Sequence, residues 1–303
     1  MTTPAFDRRA FLVGTLALGL AACGDDTGTT AAGTSTSTVS SGGSGIALAA
    51  AFPQSGFIVP GISQRMPFLL AGSDGAPLDA ISGEVPITIT DATGAVVTQI
   101  SVSGHADGVP RPYLPITFTP PTEGTYQVQA TYQGQQPTSA VQVGAATPSK
   151  PGGPVPIQVG DAFPVIDSPT VTDARGVDPL CTNKPACPLH TQNLADVLRA
   201  GKPMLVLVST PLYCQSNICG PVLELVVEAA ADHPELAIMH CEVYADPLKV
   251  ASVADATLAA VPTAVGLPLE PALFAVGGDG KLRVRLDSIF DRAEIGAAIA
   301  AVS

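Results

Sequence analysis

The chain has 303 residues, 46% of them hydrophobic and only 13% charged, with 14 Lys and Arg against 26 Asp and Glu. The net charge of −12, with no basic run anywhere, excludes nucleic acid as a partner, because phosphate neutralisation needs clustered Lys and Arg. Mean hydropathy is +0.34, yet the one apolar stretch that invites a membrane reading lies near the N-terminus. The 30 Gly and 29 Pro point instead to many turns and a β-rich or mixed architecture of one or two domains.

Residues 1–23 read MTTPAFDRRAFLVGTLALGLAAC. Arg8 and Arg9 precede an apolar stretch from Ala10 to Ala22, which Gly14 and Gly19 interrupt. The stretch is too short for a comfortable transmembrane helix. The segment resembles a twin-arginine export signal, and Leu20-Ala21-Ala22-Cys23 resembles a bacterial lipoprotein box. The resemblance implies a signal over 1–22, a diacylglyceryl group on the Cys23 sulfur, and a lipid-anchored protein at the outer face of a bacterial or archaeal cytoplasmic membrane. A cleaved signal with an incidental cysteine is the alternative. The rest of 23–45 is Gly/Ser/Thr-rich with almost nothing large and apolar. It cannot offset ordering entropy by burial and is expected to be a disordered tether.

Across 46–145 short alternating runs recur: Ile87–Thr90, Val96–Val102, Ile116–Phe118 and Tyr126–Tyr132. Turn signals such as Ser73-Asp74-Gly75, Glu123-Gly124 and Gln133-Gly134 separate them. Period-2 patterning with closely spaced turns predicts an antiparallel sandwich. The stretch Glu123-Gly-Thr-Tyr126 resembles the start of the penultimate strand in immunoglobulin-like modules, without their inter-sheet cysteine pair. No chemistry is legible here. His105 is alone in a loop and reads as a surface histidine, and the module reads as a spacer or partner-binding surface.

A Pro/Gly linker over 146–156 follows, and then the pattern changes to α/β. Ala162–Val165 and Met204–Ser209 read as short strands, and Thr191–Ala200 as a helix that Thr191 caps. Pro221–Ala231 reads as a helix, Leu236–Val243 as a strand, and Lys249–Leu258 as helical. Ala272–Val276 and Lys281–Leu286 form a hairpin around Gly277–Gly280, and Arg292–Ala301 is a final helix. That order, with Cys214 in the loop after a buried strand and Glu270-Pro271 before the last hairpin, resembles the thioredoxin fold over 157–303. The resemblance implies a cis-proline at Pro271 facing an active cysteine. The segment departs from the family in having C-x4-C, Cys214-Gln-Ser-Asn-Ile-Cys219, and no Trp before it. It comes closest to uncharacterised thioredoxin-like proteins with Thr-Pro-x-x-Cys and Cys-Gly-Pro segments. The fold class expected is therefore multidomain, an immunoglobulin-like β-sandwich followed by a thioredoxin-like α/β/α domain.

With Cys23 lipidated, five cysteines remain in an oxidising compartment, enough for two bridges and one thiol. On a continuous helix Cys214 and Cys219 would project about 140° apart. They can bond only if the helix starts late, as Gly220-Pro221 allows. Near a helix N-terminus, partial positive charge favours a thiolate. The pair therefore reads as a dithiol/disulfide couple, with Pro271 shaping the substrate groove, or alternatively as a permanent staple. Cys181 and Cys187 flank a proline-containing loop and read as a local structural disulfide, with a second redox pair as the alternative. A zinc site made from both pairs has poor spacing. By alternation Cys241 is a buried, inert thiol on one face of its strand, with His240 on the other.

The function expected is that of an exported, membrane-tethered thioredoxin-like protein exchanging disulfides with an unidentified protein partner, with no cofactor and no resident metal. Two alternatives remain. One is Cu(I) handling by the C-x4-C pair, with His190, His233 or His240 as third ligand. The other is a non-enzymatic partner-binding lipoprotein with a structural disulfide.

Overall fold

A computed structural model of the chain describes residues 45–213, 217–252 and 256–303. Arg8, Arg9, Cys23, nearly all of the tether and Cys214 lie outside the described residues.

The first half is a two-sheet sandwich. One sheet has the order β1-β2-β5, from Ala47–Ala50, Gln64–Ala71 and Leu114–Phe118. The other has the order β4-β3-β6-β7, from Val96–Ser103, Glu84–Thr90, Gly124–Ala130 and Thr138–Val143. Every pairing is antiparallel. The alternating residues Val85, Ile87 and Ile89 of β3 and Tyr126, Val128 and Ala130 of β6 meet Met66, Phe68 and Leu70 of β2 in one core. Tyr126 is the third residue of β6, and its hydroxyl donates to the Thr122 carbonyl at 2.9 Å. That bond to backbone just upstream is the tyrosine corner of sandwich folds.

The second half is a sheet of order β11-β10-β8-β9 between two helical layers. Its strands are Met204–Val208 (β8), Ala237–Cys241 (β9), Ala272–Val276 (β10) and Leu282–Asp287 (β11). β8 runs parallel to β9 and antiparallel to β10. The helices are Leu194–Arg199 (α1), Cys219–Asp232 (α2), Ala260–Ala264 (α3) and Arg292–Ala300 (α4). β8 reads MLVLV and is buried along its whole length, as a strand covered on both faces must be. Leu205 and Leu207 face α2 and α4, whereas Met204, Val206 and Val208 face α1 and α3.

Several elements differ from the sequence reading. Ala162 makes only one bridge, to Lys281, because Pro164 has no N–H to continue a ladder. Residues 160–163 instead cover the free edge of β11, through Gly160 N–H to Leu282 O and Phe163 N–H to Gly280 O. α1 starts after Asn193, not Thr191, and the Asn193 side chain accepts from Ala195 N–H. The described part of Lys249–Leu258 is not helical: a short 3₁₀ turn, Pro247–Lys249, ends at an extended Val250. The helix there is the later α3, with Pro262 tolerated in its first turn.

The linker does not leave the two halves independent, and they lie within one compact unit. Tyr113 of the sandwich is fully buried in the core shared with α2 and α4. Arg65 of β2 reaches across to Glu294 of α4 and to the carbonyls of Asp287 and Ile289. The Tyr113 hydroxyl donates to Glu294 and accepts from Asp291 N–H. His105 is no free surface histidine, since its Nδ1 lies 3.0 Å from Asp291 Oδ1. Beside it, Gly108 has φ +81°, and a Cβ there would stand 2.5 Å from Leu225 Cδ2 on α2.

The Arg65 and Glu294 side chains are only 9% and 13% exposed. Removing one partner therefore strands a buried charge, at a cost of about 3–5 kcal/mol. Arg65→Ala is expected to lower the unfolding free energy read from urea titration by that amount, with a correspondingly lower midpoint. A midpoint equal to the parent's would show that the clamp contributes nothing.

Candidate functional site

The strand directions gather chemistry at one end of the α/β sheet. β8 and β9 run parallel, so Ser209-Thr210 and Glu242-Val243 leave the sheet side by side. β10 runs the other way, with Ala272 opposite Val208, so Glu270-Pro271 arrives at the same end. The Glu270-Pro271 peptide is cis, as the thioredoxin resemblance implied.

Cys219 is the first residue of α2, fully buried and disulfide-bonded. The helix begins two residues earlier than Pro221, after Asn217 in left-handed conformation (φ +57°). Glu270 Oε2 lies 3.8 Å from Cys219 Sγ and also accepts the Thr210 N–H. Glu270 Oε1 accepts from the Tyr244 hydroxyl at 3.5 Å. Burial pushes the Glu270 carboxyl up to about 7, with the Thr210 N–H opposing and the nearby Glu242 adding to the rise. Burial, then Glu270, raises the Tyr244 phenol to about 12. Glu242 is also raised by burial. One of its oxygens accepts the Thr182 N–H at 2.6 Å, while Oε2 has no partner among the described residues. In the sequence Glu270 stands out only as the residue before the expected cis-proline, and that position is the one signal of its role.

A second cluster sits beside this one. The loop carrying Cys181, Cys187 and His190 runs along the outer edge of β9, where Leu189 O accepts the His240 N–H at 3.0 Å. Cys181 and Cys187 are free thiols in this structure, not the local disulfide that the sequence suggests. The physical difference is that two histidines reach the same point. Cys187 Sγ is 3.2 Å from His190 Nε2 and 3.4 Å from His240 Nδ1. The two histidine nitrogens are 3.4 Å apart, and Cys181 Sγ is 3.9 Å from His240 Nδ1. The hydrogen bond between the two sulfurs holds the Cys181 thiol well below its ordinary value and drives Cys187 up. His233 stays apart, paired with Glu235 on the surface. Cys241 is a buried free thiol on the opposite face, raised to about 12 by burial and then by Glu242.

No family model and no curated protein matches the chain. Among solved structures, a thiol:disulfide interchange protein DsbE from Chlorobium tepidum is similar at 13% identity and TM-score 0.32, over 48% of this chain and 97% of that one. A Lin-41 filamin domain is similar at 13% identity and TM-score 0.24, over 32% of this chain and 91% of that one. A Salmonella alpha-2-macroglobulin mutant is similar at 16% identity and TM-score 0.26, and the chain spans only 8% of its length. Likenesses this weak assign no activity.

Glu270 provides a pH test. Its folded-state value of about 7 stands above its ordinary 4.5, so between those values the folded chain keeps a proton that the unfolded chain releases. Its contribution to stability therefore falls as pH rises from about 4.5 to about 7, by up to roughly 3 kcal/mol. Glu270→Gln cannot ionise and is expected to flatten that fall in urea midpoints taken from pH 5 to 8. An unaltered slope would remove Glu270 as its source.

Proposed function

We propose that the chain is an exported, lipid-tethered, thioredoxin-like thiol-disulfide exchange protein whose working pair is Cys214 and Cys219. The observation that carries this reading is Cys219: a disulfide-bonded cysteine at the first residue of a helix, against the carboxyl that precedes a cis-proline. Cys181, Cys187 and Cys241 are free, and with Cys23 assigned to the lipid the C-x4-C reading takes Cys214, five positions away, as the partner. The tether and the lipid on Cys23 rest on the sequence signals alone. The β-sandwich is read as the spacer that carries the redox domain.

In the oxidising direction a substrate thiolate attacks Cys214 Sγ, and the bond to Cys219 breaks. The electron pair leaves on Cys219 as a thiolate. Glu270, protonated up to about pH 7, is placed to return a proton to it. A second substrate thiolate then attacks the mixed disulfide at the substrate's sulfur. Cys214 departs as a thiolate, the substrate closes its own disulfide, and the chain becomes a dithiol. Two electrons pass from substrate to chain. Pro271 shapes the groove in which the mixed disulfide lies.

Cys214→Ser and Cys219→Ser are each expected to abolish turnover of a dithiol peptide by the disulfide form. Turnover unchanged in both variants overturns the reading. A reduction potential below roughly −300 mV would favour a permanent staple instead.

A further inference from the structure

We propose that Cys181, Cys187, His190 and His240 form a closed tetrahedral Zn(II) site, separate from the C-x4-C pair. The four ligand atoms lie within 4.8 Å of one another. A tetrahedral zinc with sulfur at about 2.3 Å and nitrogen at about 2.0–2.1 Å sets the ligand separations. They are about 3.4 Å between nitrogens and about 3.6 Å between sulfur and nitrogen. The observed separations are 3.4 Å between the histidine nitrogens and 3.2, 3.4 and 3.9 Å for the sulfur–nitrogen pairs. Each is within a few tenths of an ångström of the zinc geometry.

Orientation and charge agree with the spacing. His240 Nε2 faces the Ser209 carbonyl at 3.0 Å, so it carries the proton and leaves the Nδ1 lone pair aimed at the cluster. A bond from the far ring nitrogen to a carbonyl fixes both the tautomer and the orientation of a metal-binding imidazole. The Cys187 N–H points at Cys181 Sγ from 3.4 Å, as suits a thiolate. His190 presents Nε2 to the cluster, and its Nδ1 has no hydrogen-bond partner among the described residues. Two thiolates and two neutral imidazoles around Zn(II) sum to zero charge, the arrangement that a buried pocket tolerates. Binding releases the thiol protons to solvent. A set of two sulfurs and two nitrogens in tetrahedral array suits zinc. The half-buried Cys181 gives the ion a route from the surface.

The site ties three separate pieces of chain together. The two cysteines and His190 come from the loop that covers the edge of β9, His240 comes from β9 itself, and Ser209 follows β8. A C-x5-C-x2-H run followed by a histidine far downstream matches no short zinc pattern, so only the fold reveals it.

The test is Co(II) titration of the full-length purified chain with its thiols reduced, followed by zinc displacement. One equivalent is expected, with visible d–d bands and thiolate-to-metal charge transfer that zinc abolishes. Cys187→Ser and His240→Ala are each expected to weaken binding by 10-fold or more, while the Cys214→Ser/Cys219→Ser double variant keeps the full spectrum. The double variant also separates this site from the redox reading, since it abolishes exchange and spares the metal. Far-UV circular dichroism and melting of each variant distinguish a lost ligand from a lost fold. If both ligand variants unfold, zinc protection of Cys181 and Cys187 from alkylation in the parent chain, read by mass spectrometry, decides. Absence of tetrahedral thiolate bands in the reduced parent chain overturns the proposal. So does their loss in the Cys214/Cys219 variant, or zinc that leaves Cys181 and Cys187 as reactive as before.

Discussion

The parallel pairing of β8 with β9, one residue against the next from Met204 and Ala237 to Val208 and Cys241, is the constraint from which both clusters descend. A one-residue slip would turn His240 and Glu242 to the other face and bring Met239 and Cys241 in their place. In the register adopted, His240 stands beside Leu207 and reaches Ser209, and Glu242 stands near Thr182 and Thr210. β10 then fixes the Glu270-Pro271 turn by pairing Ala272 with Val208. Both sites are thus built on strand ends of a sheet buried on its two faces, which is where geometry is best defined.

Polar groups at this end are there in spite of their cost. Glu242, His240 and His190 are buried and Glu270 is half-buried, and each is held by backbone or by another member. Burial raises both carboxyls, and such displacement of proton affinities is characteristic of working sites. The disulfide-bonded Cys219 joins the carboxyl side of this region, and the free thiols of Cys181 and Cys187 join the histidine side. One strand end therefore presents two kinds of sulfur chemistry.

Legibility from sequence followed locality. The strands β3, β4 and β6 announce themselves by alternation, and β8, β9 and the β10–β11 hairpin by short apolar runs with turn residues between. β2 does not, because QRMPFLLA is nearly continuous in apolar residues and broken by Pro67. The five-residue α3 leaves too few positions for a helical period to show. The cis peptide at Pro271 was expected from the thioredoxin resemblance, whereas a helix start late enough for Cys219 to bond was expected from Gly220-Pro221, although the helix begins at Cys219 itself. The cluster at His240 was not, because Cys187 and His240 are 53 positions apart. Edge covering by the 181–190 loop, a tertiary event, brings them together. For the same reason the interlocking of the two halves stayed hidden: a Pro/Gly linker suggests independence, and nothing local in Arg65 or Tyr113 announces a partner more than 170 positions away.

Gly108 gives that interlocking a further consequence. Its lack of a side chain is what lets the sandwich loop lie on Leu225, two turns along the helix that Cys219 begins. Neither half can then be excised cleanly. Cutting the chain at the linker would leave the α/β half with a hole where Tyr113 sat and an unmatched Glu294. The sandwich half would carry an apolar-rimmed Arg65 into water. The working unit for engineering or inheritance is the pair of modules, and the helix bearing Cys219 has a sandwich loop for part of its wall.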